Sequence, residues 1–450
     1  MNKKSKIKNY DFNVPRYTSY PTANNFTNKI NAQEYKNFLD NLPQDNSISL
    51  YLHIPFCLHL CWFCGCHTKI TKKYDPIDDY LSSLKKEIKL VSSVIKEKGK
   101  VSQIHFGGGS PTILKVGDFN LLIRKIKESF HVEKNAEISI EIDPRTVNEA
   151  KIATYAISGV NRVSIGVQDF DEKVQNSINR KQPFYLTYNT IKLLREYKIN
   201  NINLDLMYGL PNQSLETIKK SINYSLTFNP DRIAIFGYAH LPRMKKQMKL
   251  IDENILPSHN KRIKMFEVAS RILIEAGYSH IGLDHFCKTN DKMYIAKGNG
   301  TLRRNFQGYT TDNCNVLIGL GTSAISKLPQ GFFQNTKQIQ IYKDNLTKSI
   351  LGTERGIILN KEDFICNHVI ESLMCNMKVD VSSICQKYNI NVQQFSKEFQ
   401  SLVSLEKDGL ISINNYEIKI NDKHRQIVRY VCSFFDKFNS NQTSQYSKLG

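Results

Sequence analysis

The sequence predicts an α/β protein. A partial or full (β/α) barrel is expected over residues 46–355, with an N-terminal arm over 1–45 and a small, mainly helical C-terminal domain over 356–450. Three observations carry this. Strand-like runs alternate with amphipathic helical stretches about six times, as parallel strands with helices outside require. Polar residues recur at every second position of several strands. Near residues 352–356 the alternation stops and helices take over.

Strands are expected at 47–54, 101–106, 137–142, 162–167, 201–207 and 232–236, with a weaker one at 280–283. Between the first two, Ile77, Tyr80, Leu81, Leu84, Ile88, Val91 and Ile95 fall at helical spacing. Similar stripes run through 116–130, 184–197, 215–228 and 259–276. A barrel of this kind carries its active site at the C-terminal ends of the strands.

Parity within the strands says what fills the barrel. Ile138, Ile140 and Ile142 alternate with Ser139 and Glu141; Val163, Ile165 and Val167 with Ser164, Gly166 and Gln168; Ile202, Leu204 and Leu206 with Asn203 and Asp205. In a parallel sheet covered by helices the apolar set faces the helices, which turns the polar set inward. A barrel lined by Glu141, Gln168 and Asp205 reads as a polar, ligand-filled lumen.

From about residue 357, helices are expected at 361–377, 379–386 and 392–406, then a hairpin over 410–420 around Asn414-Asn415, and a last helix through Phe435. This end looks winged-helix-like. Elsewhere such a unit often binds DNA, but here it could equally be a lid. The polar tail from Asn439 is expected to fray.

Composition narrows the function classes. No stretch approaches about 18 consecutive apolar residues, so no membrane span is expected. The basic residues 1–8 lead into no apolar stretch, unlike a secretory signal, so a soluble cytoplasmic protein is expected. The net charge of +20, from 62 basic and 42 acidic residues, invites a nucleic-acid reading. The lysines are scattered rather than blocked, which argues against it. A polyanionic small substrate accounts for the charge equally well.

Cys57-x-x-x-Cys61-x-x-Cys64 packs three thiols into one loop directly after the first strand. Three thiolates can hold three irons of a [4Fe–4S] cluster and leave the fourth iron open. Structural zinc would need a fourth ligand, for which Cys66, His59 and His67 are at hand. A disulfide framework fits poorly. Cys287, Cys314, Cys366, Cys375, Cys385 and Cys432 show no pairing rhythm and read as buried small hydrophobes.

Gly107-Gly108-Gly109-Ser110-Pro111-Thr112 follows the second strand, and glycines there let backbone approach a ligand closely. Glu141 ends the third strand, and Gln168 and Asp205 hold equivalent places on the next two. Arg180 lies in the helical region after the fourth, where a guanidinium could pair with a carboxylate in bidentate fashion.

The cysteine loop followed by the glycine run resembles radical S-adenosylmethionine (SAM) enzymes. Four segments are similar to one family among them, the oxygen-independent coproporphyrinogen III oxidases (coproporphyrinogen III dehydrogenases), over nearly the whole chain. They are the arm Pro15-Arg16-Tyr17-Thr18-Ser19-Tyr20-Pro21-Thr22-Ala23, the loop from Tyr51 to Cys66 with its Cys64-Gly65-Cys66 ending, Gly282-Leu283-Asp284-His285-Phe286, and Asn305-Phe306-Gln307-Gly308-Tyr309-Thr310-Thr311. The resemblance implies a radical SAM type of partial or full barrel. It also implies anaerobic oxidative decarboxylation of two propionates of coproporphyrinogen III to vinyl groups, giving protoporphyrinogen IX in haem and porphyrin biosynthesis.

It further implies one [4Fe–4S] cluster on Cys57, Cys61 and Cys64, completed by SAM, and two SAM molecules per active site. Tyr51, Gly108 and Glu141 would contact the cluster-bound SAM. Phe63, Gly109, Ser110, Gln168, Arg180, Asp205, Ala239 and Ile325 would contact the second. The arm bearing Arg16 would fold over the substrate. A low-potential flavodoxin- or ferredoxin-like electron donor, a monomer and no nucleic-acid partner are expected. No catalytic residue is assigned beyond the cluster and SAM sites.

Two rivals share the scaffold. A haem chaperone would generally lack the long arm and the second cysteine of Cys64-Gly65-Cys66, and this chain has both. A radical SAM RNA-modifying enzyme would use the basic charge and the winged-helix-like end, with salt-sensitive RNA affinity, and leaves the arm unexplained.

Overall fold

The computed structural model describes residues 13–438, so residues 1–12 and the tail from Asn439, expected to fray, lie outside the described residues. Six parallel strands form where the two-residue alternation runs: β1 (Asn46–Ile54), β2 (Gly99–Gly108), β3 (Val132–Ile142), β4 (Arg162–Gln168), β5 (Asn201–Tyr208) and β6 (Arg232–Gly237). They continue into β7 (Ser279–Ile281), β8 (His285–Cys287), β9 (Val316–Leu320), β10 (Ile325–Leu328), β11 (Gly331–Asn335) and β12 (Thr353–Ile358). The twelve form one sheet in the order β12-β11-β10-β9-β1-β2-β3-β4-β5-β6-β8-β7. β9 joins parallel to β1, while β10–β12 and the β8–β7 pair are antiparallel extensions. The two ends of the sheet do not pair, so the barrel is partial.

The inward and outward sets separate as parity predicts. Ile138, Ile140, Val163, Ile165, Ile202 and Leu204 are fully buried against the outer helices. Those helices include Asp75–Ile95, Val116–Ser129, Phe184–Glu196 and Leu215–Thr227, each with an apolar stripe toward the sheet. The helix Glu149–Ser158 was not expected; Ile157, 83% exposed, breaks the stripe that would have marked it. Ion pairs between Glu137 and Arg162 (2.9 Å) and between Arg232 and Asp291 (2.8 Å) sit low in the lumen.

The C-terminal part has its own core around the helix Lys361–Asn376, with a three-stranded antiparallel sheet of Lys378–Asp380, Glu417–Ile420 and Ile411–Asn414. Val14, Tyr17 and Tyr20 of the arm are buried in that core. The arm therefore reaches across the molecule before the barrel begins. Cys287, Cys366, Cys375, Cys385 and Cys432 are buried as expected, whereas Cys314 is only half-buried, between Ser47 (3.1 Å) and Ser102 (3.0 Å). No described helix is long and apolar enough to cross a membrane.

Candidate active site

β1 feeds directly into the cysteine loop. Cys57, Cys61 and Cys64 all border one cavity of about 740 Å³ that runs from the C-terminal ends of the strands into the lumen. Donors converge on the sulfurs. Thr68 Oγ1 donates to Cys57 Sγ at 3.1 Å, Arg145 Nη2 and Arg180 Nη1 donate to Cys61 Sγ at 3.5 and 3.6 Å, and the Cys66 N–H donates to Cys64 Sγ at 3.4 Å. Such donors favour sulfur in its anionic form, with burial opposing them. Burial pushes the Cys57 thiol up to about 12, while hydrogen bonding from Cys66 brings Cys64 down to about 6.

The loop is held from outside as well. Asn179 Nδ2 donates to the Leu60 carbonyl (2.7 Å), Gln247 Nε2 to that of Cys64 (2.7 Å) and Lys245 Nζ to that of Cys66 (3.0 Å). Loop backbone is thus fixed by groups from two later βα units, which the spacing of the cysteines could not reveal.

The glycine run lies against this loop. Gly109 and Ser110 N–H groups donate to the carbonyls of Ile54 (2.8 Å) and Phe56 (2.9 Å). Gly108 has φ +119°, and a Cβ there would meet the His53 ring at 2.8 Å; one on Gly109 would meet Thr68 Oγ1 at 2.6 Å. Only glycine permits so close an approach. The Gly108 N–H donates to Glu141 Oε2 at 3.2 Å, and His105 hydrogen-bonds both Ser139 Oγ (2.7 Å) and Glu141 Oε1 (3.4 Å).

Farther round the barrel, a register shift between Gly166 and Gln168 leaves Gln168 at φ +70° and turns it into the cavity. Arg180 Nη2 donates to the Gly166 carbonyl (2.7 Å), and its Nη1 stands 3.5 Å from Asp143 Oδ2. Arg145 grips the same carboxylate at 2.7 Å. Against the opposing effect of burial, these two arginines hold Asp143 well below the usual carboxylate range. Asp205 accepts from Ser164 Oγ (2.7 Å) and Asn203 Nδ2 (2.8 Å), and burial pushes its carboxyl upward.

Phe63, Gly108, Gly109, Ser110, Glu141 and Gln168 border the cavity, as do Arg180, Asp205 and Ala239. Tyr51 and Ile325 do not. Tyr51 hydrogen-bonds His53 at 3.0 Å and stacks on His105, while Ile325 sits on β10 with its backbone packed on Gly319 of β9. His105, Arg145 and Lys245 are additions that sequence reasoning did not single out. For His105 the signal was present: it alternates with Ile104 and Phe106 on the inward face of β2.

The chain is similar to known proteins over nearly its whole length. Residues 51–224 match the Radical SAM superfamily model. The oxygen-independent coproporphyrinogen III oxidase of Bradyrhizobium diazoefficiens is 43% identical over 423 residues, 94% of each chain. That of Helicobacter pylori strain J99 is 38% identical over 448 residues, 98% of each chain. The solved coproporphyrinogen III oxidase of Escherichia coli, described as a radical SAM enzyme, superimposes with a TM-score of 0.90 at 36% identity, covering 94% of this chain and 97% of that one. The chain belongs to the oxygen-independent coproporphyrinogen III oxidase family of radical SAM proteins.

Proposed function

We propose that this protein carries out the anaerobic oxidative decarboxylation of two propionate side chains of coproporphyrinogen III to vinyl groups, giving protoporphyrinogen IX. One observation carries the reading. The cysteine loop, the glycine run and the strand-end groups Glu141, Gln168 and Asp205 all border a single cavity in a chain related over nearly its full length to enzymes of that name.

Radical SAM membership implies a [4Fe–4S] cluster and SAM, and the residues suit them. Among the described residues, no three His, Cys, Asp or Glu side chains gather tightly enough to hold one metal ion. A cluster asks for less convergence, because each thiolate takes its own iron. Arg180 Nε is buried at the cavity without a hydrogen-bond partner, a donor ready for a ligand carboxylate. Cys57, Cys61 and Cys64 would hold three irons. When bound, cluster and SAM supply a primary carbon radical able to take hydrogen from the propionate β-carbon.

The chain's own residues do the positioning. Glu141, oriented by the Gly108 N–H and His105, accepts from ribose hydroxyls, and Gly108 presents backbone to the cluster-bound SAM beside Tyr51. Phe63, Gly109, Ser110, Gln168, Arg180, Asp205 and Ala239 form the surroundings of a second SAM. The helices outside and the arm above keep water from the reacting carbon. An acidic, low-potential flavodoxin- or ferredoxin-like protein suits the basic surface as electron donor.

The test is anaerobic incubation of reduced, cluster-loaded protein with SAM and coproporphyrinogen III, followed for 5′-deoxyadenosine and vinyl product. Two SAM consumed per substrate is the expected stoichiometry. A reducible cluster with tight haem binding and no decarboxylation would overturn the reading.

A further inference from the structure

The three cluster cysteines receive different donors. Thr68 gives Cys57 a hydroxyl and Cys66 gives Cys64 a backbone N–H, whereas Cys61 takes Arg145 Nη2 and Arg180 Nη1. Cys61 is also the buried one of the three. Asp143, directly after β3, organises both guanidiniums. Its carboxylate accepts the Arg145 N–H (3.0 Å), Arg145 Nε (3.0 Å) and Arg145 Nη2 (2.7 Å), and Arg180 Nη1 stands 3.5 Å from it. Arg145 Nη2 thus donates to Asp143 and to the Cys61 sulfur together. The turn beneath is tied down as well. The Thr146 N–H donates to the Asp143 carbonyl (3.0 Å), the Thr146 and Thr112 hydroxyls share a hydrogen bond (2.6 Å), and Lys151 Nζ donates to the Thr146 carbonyl (2.8 Å).

Two guanidiniums and one carboxylate leave one net positive charge beside the sulfur. The side chains of Arg145, Asp143 and Arg180 are only 12, 13 and 8% exposed, so water screens that charge weakly. Reduction adds negative charge to a cluster and to the sulfurs that hold it. A cation, or an N–H aimed at a ligand sulfur, stabilises the reduced form more than the oxidised one and so raises the reduction potential. A carboxylate at the same place acts the other way.

We propose that Arg145, held by Asp143, is a positioning residue that acts through Cys61 to raise the reduction potential of the cluster, and that Asp143 limits how far it is raised. One electron from the low-potential donor protein takes the cluster from its 2+ to its 1+ state, with no bond made or broken in the protein. Arg145 stabilises the added negative charge, and Asp143 fixes the guanidinium where it does so. The inference rests on the cluster assigned above to Cys57, Cys61 and Cys64, and is independent of which substrate is decarboxylated.

The potential can be measured without turnover, by anaerobic redox titration of the cluster-loaded full chain in the absence of SAM, followed by electron paramagnetic resonance of the reduced cluster. In Arg145→Gln the ratio of reduced to oxidised cluster at a fixed potential should fall by at least about threefold, a shift of roughly 28 mV for a one-electron couple. Arg145→Lys, which keeps the charge, should fall between that variant and wild type. Asp143→Asn removes the opposing charge and should shift the potential upward. A purely structural role would not give shifts of opposite sign. Arg124→Gln, an equal change of charge on the exposed face of the helix Val116–Ser129, should leave the potential unchanged. Iron content and visible absorbance verify loading, and Arg145→Lys and Asp143→Asn carry the test should Arg145→Gln fail to load. A wild-type potential in loaded Arg145→Gln, a downward shift in Asp143→Asn, or loss of the cluster in all three variants would overturn the proposal. A wild-type chain that assembles no cluster would instead sink the ligand assignment, and a cluster tuned by Arg145 without vinyl product would sink only the decarboxylation reading.

Discussion

Gly282 and Tyr309 divide one space between them: the tyrosine ring stands where a Cβ on Gly282 would be, and Gly282 has φ +54°. The tyrosine hydroxyl accepts the Leu283 N–H (2.9 Å) and donates to the Met374 carbonyl (2.7 Å). The two motifs that ended the sequence comparison, Gly282–Phe286 and Asn305–Thr311, are therefore one joint between the barrel edge and the C-terminal core. Gly282→Ala is expected to lower stability by roughly 2 kcal/mol or more, through overpacking and left-handed strain together. A denaturant midpoint equal to that of the wild type would show that the joint yields freely.

Cys57, Cys61 and Cys64 are each expected to be indispensable for the cluster. Their single alanine variants should lose the cluster's visible absorbance and bound iron after anaerobic reconstitution, whereas Cys66→Ser should retain both. Iron and absorbance kept in any of the first three would strike that residue from the ligand set.

Gln168 and Asp205 face the cavity from β4 and β5. Alanine at either should leave the cluster spectrum unchanged and lower turnover at least about tenfold, since each removes polar contacts inside an enclosed site. Loss of the cluster in these variants would mean that the positions are structural.

Glu87 lies outside the cavity, accepting from Tyr342 Oη (2.6 Å), the Gly321 N–H (2.6 Å) and Asn335 Nδ2 (2.7 Å). Burial outweighs these donors and pushes its carboxyl up to about 7. The folded state then keeps a proton that the unfolded chain releases near the ordinary glutamate pKa of about 4.3. Its stabilising contribution is full below that pH and is lost as pH rises through about 7, at about 1.4 kcal/mol per pH unit inside the window. Thermal melts between pH 5 and 8 should show a steeper fall for wild type than for Glu87→Gln. Parallel slopes would exclude Glu87 as the source.

Much of the architecture was legible because periodicity is local. Two-residue alternation in β3, β4 and β5, and helical stripes such as Ile77 to Ile95, report which face is covered, and covering fixes a parallel, helix-wrapped sheet. That same parity turned Glu141 and Asp205 inward, while Gln168 enters the cavity through the register shift after Gly166. β9 and β11 escaped notice because all five residues of each are buried, and a short run buried on both faces carries no period.

The sequence by itself determined the strand–helix rhythm, the three-thiol loop and the glycine run after β2, since each is written in residues adjacent along the chain. Only the tertiary structure decided that the sheet stays open and that Arg145 and Arg180 meet at Cys61. Side chains meet across space that chain order does not encode, so two guanidiniums from separate βα units reach one sulfur only once the chain has folded.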